Sequence, residues 1–420
     1  MLERRTLLQG TTAALGAAGL AQPALAQGRE VQVVWMGWPD GQVLPIMQEI
    51  ERRNAGMRLR VERFPFGEIF QAIDVRLQAR SPSPDIYIVD GPLTAYYAVR
   101  RHLAEIEPII GREGMQRYAP SVIEQGSVGG RLMSLPLYTS SSVLFCNARL
   151  FRQAGIPIPS ADPAKRMTWE ETLELARRLT NPAAQTWGFV VDQADRPYSI
   201  LPFAQSKGAS MLSADGFTAT GHVDSALFVE AMRWYGELYT RHRVSPPGLF
   251  DTALAREMFF SGRAAMFLAI DGIPALAGGR DLEWTATAHP YFAGGRAVTP
   301  TGSWHIGVNP RGTNRAMADA FIRSYANPEV VAMQTRVRGA PPTMPALWQT
   351  MAADYQGDFW ALVKHEIETT GVPRPATPGF REYEDILRIA IREIVGGADA
   401  GPRLRRAAQD IDRELQKYRT

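Results

Sequence analysis

Polar and aromatic side chains recur in this chain at one kind of position, directly after a short apolar stretch. Trp38, Asp40 and Gly41 follow Val31 to Trp35, and Asp90 and Gly91 follow Asp85 to Val89. Tyr138, Thr139 and Ser140 lie beyond Pro136, Asp271 and Gly272 follow a stretch ending at Ile270, and Gly302, Ser303, Trp304 and His305 open another. The carboxyl ends of strands are where α/β sheets gather their ligand crevices. Carboxylates and hydroxyls placed there can take the hydroxyls of a polar solute, while an aromatic face packs against the C–H face of a sugar ring. Taken singly, Asp90 and Asp271 read equally well as turn residues or helix caps. Trp38 and Trp304 can be core residues, and His305 reads as structural. As a set they describe a binding crevice.

Signatures of catalysis do not accompany this set. The sequence has no GxSxG, no HExxH, no phosphate loop and no GxGxxG. His365 and Glu366 begin like a zinc motif, but no histidine follows at the required spacing, and both read as a solvated helix face. The 6 histidines are scattered, so neither a metal site nor a cofactor is expected. Carboxylate pairs such as Glu170 with Glu171, or Asp358 with Glu366, fall at helix starts or on helix faces. An exported glycosidase stays open as an alternative, because its two acids need not be close in sequence.

The amino terminus gives the compartment. Arg4 and Arg5 precede an uncharged stretch from Thr6 to Leu25, which ends in the small-x-small pattern Ala24-Leu25-Ala26. This reads as an export signal over residues 1–26, cleaved after Ala26, of twin-arginine or general secretory type. The apolar part is too short and too glycine-rich for a membrane span, which needs about 20 apolar residues. Cys146 is the single cysteine and lies far from the cleavage site, so neither an internal disulfide nor lipoprotein attachment is available. The sequence therefore describes a free periplasmic monomer. A net charge of +3 over 420 residues gives no sign of a nucleic-acid surface.

Elements that would position the crevice follow from periodicity. Val31–Trp35, Arg58–Phe64 and Asp85–Val89 read as strands alternating with helices over Val43–Arg53 and Glu68–Arg80, the pattern of a mostly parallel sheet covered on both faces. Further strands are expected at Val143–Cys146, Gly188–Val191 and Ala264–Ile270. Thr168 followed by Glu171 is a capping box opening a helix with Leu173, Ala176 and Leu179 on one face. Leu227, Ala231, Trp234 and Leu238 form a second stripe, and Leu404, Ala408, Ile411, Leu415 and Tyr418 a third. Nearly 400 residues after the signal exceed one ordinary core, so two α/β lobes are expected.

Four segments carry a resemblance to a known family. Leu135-Pro136-Leu137, Leu144 to Phe151 with Cys146 and Asn147, Ala154-Gly155-Ile156 and Thr168-Trp169-Glu170-Glu171 form the most specific of them. Asp85 to Ile88, Phe260 to Met266, and Gly302 to Asn309 followed by Ala316 to Ala326 are the others. In this order and spacing they resemble the bacterial extracellular solute-binding proteins of the maltose-binding type, which serve ATP-driven importers; Cys146 stands where that family usually has tyrosine. The resemblance implies a type II periplasmic binding protein fold with a ligand cleft between two lobes that close about a hinge. It divides the chain into residues 27–139 plus 290–338 in one lobe and 140–289 plus 339–420 in the other.

The same resemblance implies binding roles for Asp90, for Tyr198 after Pro197, for Trp304 and for Arg338. Several relatives place a glutamate where this chain has Ser140, which argues against maltose itself. The expected ligand is a sugar or sugar derivative, handed to membrane permease subunits whose ATPase is a separate protein. Arg338, His305 and Arg196 leave open a phosphate, sulfonate or carboxylate on that ligand. A binding protein that feeds a membrane receptor would have the same sequence features.

Overall fold

The computed structural model describes residues 30–419, and the export signal with its cleavage after Ala26 lies outside them. The chain starts with β1 (Glu30–Met36), β2 (Arg58–Phe64) and β3 (Ile86–Asp90), with β1 parallel to both others. The connecting helices, Asp40–Arg53 and Phe66–Gln78, bury Val43, Ile46, Met47 and Ile50, and Ile69, Ile73 and Leu77. This three-and-four spacing turns one apolar stripe to the sheet. A small hairpin of β4 (Ser127–Val128) and β5 (Arg131–Leu132) precedes β6 (Leu135–Ser140).

Past Ser140 the chain changes sheets. β7 (Ser142–Asn147), β8 (Trp187–Val191), β9 (Ala264–Ile270) and β10 (Trp284–Thr287) form a second sheet in the order β10-β7-β9-β8. The chain then returns to the first sheet with the long β11 (Thr299–Val308), which lies antiparallel between β3 and β6. A short β12 (Gly371–Pro373) pairs with the first residues of β11. The molecule is thus a two-lobed α/β protein. The expectation of mostly parallel strands holds for β1 to β3 and gives way where strands arrive from the other lobe. In the second sheet, β7 is antiparallel to both β9 and β10, and only β8 and β9 run parallel. A helix crossover on the same sheet returns the chain parallel, whereas a strand entering directly from the neighbouring lobe is free of that constraint.

Most of the expected helices form. Thr168 accepts the N–H of Glu171, and the Glu171 carboxylate accepts that of Thr168, so the capping box is closed around a helix over Trp169–Leu179. On the helix Ala226–Thr240 the expected Ala231 and Leu238 are buried and Trp234 packs partly against the core, but Leu227 is exposed, and Phe228, Met232 and Tyr235 complete the buried face. Neighbouring large aromatics decide this, since the alternative face would leave Phe228 and Tyr235 in water. The helix Ala400–Leu415 buries Leu404, Ala408, Ile411 and Leu415 as expected.

Two buried polar clusters fasten the crossings between lobes. Asp271, just after β9, accepts the N–H of Ser141 at 2.8 Å and donates its own to the Ser141 carbonyl at 3.0 Å, which pins the single residue linking β6 to β7. Glu366 opens one turn of π-helix (Glu366–Thr370) and is fully buried rather than on a solvated face. Its carboxylate faces Arg166 through two hydrogen bonds of 2.9 and 2.6 Å and also accepts from Thr299, while Arg166 reaches the His289 carbonyl at 2.7 Å. The helical periodicity around Glu366 is interrupted by the π turn, which swings its side chain inward against the returning β11.

Removing one member of that pair leaves the other charge buried without a partner. Glu366→Ala is expected to lower stability by about 3 kcal/mol or more. Replacing Arg166 and Glu366 together with methionine should restore most of that loss; urea unfolding of both variants checks it.

Candidate functional site

A cleft opens where the ends of strands from both sheets meet. From the first sheet come Asp90 at the end of β3, Tyr138 and Ser140 on β6, and Gly302 and Trp304 on β11, with Phe66 and Phe70 from the helix after β2. Facing them are Gln193, Arg196 and Tyr198 after β8, Ile270 at the end of β9, and Arg374 and Glu384 from the last part of the chain.

Strand register builds the first wall. Trp304 stands opposite Asp90 on one side and Tyr138 on the other, and Gly302 stands opposite Ser140. The β6–β11 ladder slips between Trp304 and His305, a bulge that lets Trp304 face the cleft while His305 stays inside. At Gly302 a Cβ would come within 2.7 Å of the Ser140 Oγ and 3.0 Å of the Tyr198 ring. Glycine at this position therefore admits the Tyr198 ring, whose hydroxyl lies 3.2 Å from Ser140 and ties one side of the cleft to the other. Tyr198 is fixed by Pro197 at the first turn of a helix (Pro197–Ser206) that is buried along its whole length.

Aromatic rings make the apolar surface. Phe70 lies nearly parallel to Trp304, 6.1 Å between centroids and 17° apart, and Phe66 meets Trp304 edge-on. Trp38 is packed behind them against Trp304 and Tyr138, with the Arg338 guanidinium 3.9 Å above its ring. The ionic surface consists of two pairs. Arg374 grips the Asp90 carboxylate with both terminal nitrogens, one bond being 2.7 Å, and Arg196 lies 3.7 Å from Glu384. Burial raises Glu384 from the ordinary carboxylate range, with Arg196 and Arg374 opposing the shift. Burial likewise pushes Tyr138 up to about 12 and Tyr198 upward, so both hydroxyls stay protonated hydrogen-bond donors at neutral pH.

Of the residues singled out from sequence, Asp90, Tyr138, Ser140, Tyr198 and Trp304 converge on this cleft. Asp40 does not line it: it is exposed in the first turn of its helix, where a carboxylate suits the helix dipole, and pairs with Arg63 at 2.7 Å. Asp271 and Gly272 belong to the crossing. The carboxylate is buried against the backbone of Ser141, and Gly272 begins a short helix while donating to it. Trp38 and Arg338 form the layer behind the cleft, Arg338 being occupied by Gln42 and the Trp38 face. His305 is buried beside Ser134, and burial lowers it to about 4, which makes it a neutral structural residue at pH 7. Arg374 and Glu384 carry no motif. The one local signal is Arg374 set between Pro373 and Pro375. Among the described residues no group of His, Cys, Asp and Glu is arranged to hold a metal ion, and no helix is long and apolar enough to cross a membrane.

Residues 24–332 match the family of bacterial extracellular solute-binding proteins, and the chain belongs to that family. It is 23% identical over 350 residues to a mannitol-binding protein of Pseudomonas aeruginosa, covering 79% of this chain and 77% of that one. Two solved structures share the fold. An ABC substrate-binding protein from Listeria monocytogenes in complex with cycloalternan has a TM-score of 0.83 at 17% identity, covering 92% of this chain and 99% of that one. An ABC transporter solute-binding protein from Agrobacterium radiobacter K84 in complex with ribitol has a TM-score of 0.76 at 22% identity, covering 92% and 98%.

The crossing itself responds to pH. Burial raises Asp271 to about 8 against the pull of its two amide donors, while in the unfolded chain it titrates near 3.8. A raised acid holds its proton in the folded state, so its contribution to stability is complete below about pH 4 and is lost as pH rises through about 8. The melting temperature is expected to fall between pH 5 and pH 8 more steeply than that of Asp271→Asn; thermal unfolding at both pH values measures the difference.

Proposed function

We propose that this chain is the exported, periplasmic solute-binding component of an ATP-driven importer, and that it captures a sugar or polyol and presents it to membrane permease subunits. The observation that carries this reading is the composition of the cleft. The Trp304 and Phe70 rings face a border of paired charges and hydroxyls, Asp90, Arg374, Tyr198 and Ser140, drawn from both sides. Aromatic faces bind the C–H surface of a polyol or sugar ring while paired polar groups exchange hydrogen bonds with its hydroxyls. The relatives described above include a mannitol-binding protein and a ribitol complex, which supports an open-chain polyol as readily as a ring.

In this reading the lobes comprise residues 27–139 plus 290–338 and residues 140–289 plus 339–420, with β12 as a short return to the first sheet. Closure about Ser141 and the two other crossings brings Tyr198 against Gly302 of the first lobe over the ligand. The protein performs no chemistry: Asp90 is held by Arg374 and is not available as a catalytic acid or base. Export to the periplasm is part of this reading, and the single cysteine, Cys146, is buried in β7. Binding at micromolar strength corresponds to about 8 kcal/mol, within reach of several hydrogen bonds and one stacked aromatic.

The test is a thermal-shift screen of the chain beginning at Gln27 against monosaccharides, disaccharides, alditols, amino acids and short peptides. A ligand at 100 times its Kd adds about 2.7 kcal/mol, and a shift of several degrees with a sugar or alditol is the expected result. Trp304→Ala should weaken the same ligand about 30-fold by calorimetry while leaving the unliganded fold intact. A shift confined to amino acids or peptides would overturn the ligand class, and turnover of the bound solute would overturn capture without chemistry.

A further inference from the structure

The carboxylate that sequence singles out as a ligand contact does not stand alone. Arg374 and Asp90 are each about one-tenth exposed, and the guanidinium engages both carboxylate oxygens through its two terminal nitrogens. That geometry leaves the buried Arg374 Nε without a hydrogen-bond partner among the described residues. It also leaves a free lone-pair direction on each Asp90 oxygen. The guanidinium carbon lies 5.4 Å from the Tyr198 ring centroid and 5.7 Å from that of Phe380, so its plane is confined on further sides. Proline on both sides holds the backbone: Pro373 has a fixed φ, and Arg374, preceding Pro375, is restricted to extended conformations.

A buried ion pair is a poor way to gain stability, because desolvating two charges offsets most of their attraction. Here the pair has another consequence. The charged residues lining the cleft are Asp90 and Glu384 against Arg196 and Arg374, two of each sign, and each guanidinium already has a carboxylate neighbour. An incoming anion would have to displace Asp90 from Arg374 or lie beside both carboxylates. An uncharged diol disturbs neither pair: one hydroxyl can donate to Asp90 and its neighbour can accept from the guanidinium.

We propose that Arg374 is a specificity-determining residue, which by neutralising Asp90 inside the cleft makes the site select an uncharged polyhydroxy solute and reject the corresponding sugar acid. This rests on the reading of the protein as a sugar or polyol binder and extends it to the charge of the solute. It withdraws phosphate, sulfonate and carboxylate derivatives from the expected ligands. Arg338 does not line the cleft; it lies behind it against Gln42 and Trp38.

The test is calorimetric titration of the chain beginning at Gln27 with mannitol, ribitol, glucose and maltose, each paired with its acid: mannonate, ribonate, gluconate and maltobionate. Wild-type protein is expected to prefer the neutral member of the pair it binds by 100-fold or more. In Asp90→Asn the guanidinium loses its counter-charge, and the preference should move toward the acid by at least 30-fold. Arg374→Lys keeps the charge and should hold the preference within about 3-fold of wild type, whereas Arg374→Gln should weaken the neutral ligand and exclude the acid further. The double variant Asp90→Asn with Arg374→Gln removes both charges together and serves if either single variant fails to fold; its preference should lie between those of wild type and Asp90→Asn. A wild-type preference for the acid, or an Asp90→Asn preference equal to wild type, would overturn the role of Arg374 while leaving sugar or polyol capture standing. Failure of wild-type protein to bind any of the eight compounds would instead strike the reading on which this one rests.

Discussion

The insertion of β11 between β3 and β6 is the constraint on which the rest of the structure depends. β11 arrives from the second lobe, runs antiparallel to both neighbours, and sets the register that puts Trp304 against Asp90 and Tyr138 and Gly302 against Ser140. Every contact across the cleft is then measured from its backbone. The Tyr198 ring fits only because Gly302 carries no Cβ, and the short β12 that delivers Arg374 can pair only with the first three residues of β11. A side chain at residue 302 would crowd the Ser140 hydroxyl and the Tyr198 ring.

Ion pairs with a buried carboxylate lie near the points where the chain changes lobe and where strands end. Glu366 with Arg166, Asp90 with Arg374, Asp192 with Arg256 and Asp195 with Arg392 all have a nearly or fully buried carboxylate. Inside each lobe, by contrast, the packing is aromatic and aliphatic, as in the stack of Trp169 on Phe203 at 4.3 Å. Apolar packing is non-directional and holds a lobe together as one body, whereas a bidentate ion pair fixes distance and angle between segments far apart in the chain. This division suits a protein whose lobes are rigid and whose cleft must hold its polar groups in place.

Neutralised charge also explains how a cleft rich in ionisable groups serves an uncharged solute. A lone buried carboxylate is costly to desolvate; with a guanidinium beside it, Asp90 keeps lone pairs for hydroxyl donors. The aromatic side of the cleft then contributes area without demanding any particular hydroxyl pattern, and the polar side sets orientation.

Much of this was legible in the order of residues. Apolar periodicity determined β1 to β3, the helices between them and the capped helix at Thr168, because those elements obey local steric and hydrogen-bonding rules. The position of polar residues at the ends of apolar stretches marked Asp90 and Ser140, because strand ends face one edge of the sheet, whereas Tyr138 and Trp304 reach the cleft from within β6 and β11. Only the tertiary structure decided that Asp40, in an equivalent position, faces water beside Arg63, and that Asp271 serves the crossing at Ser141. It also put Phe228 in place of Leu227 on the buried face of the helix at Ala226, drew Glu366 inside and brought Arg374 onto Asp90 from 284 residues away. The physical reason is that a local pattern constrains which face an element must bury, while the partner of a charge depends on how separate segments meet, and no periodicity along the chain records that meeting.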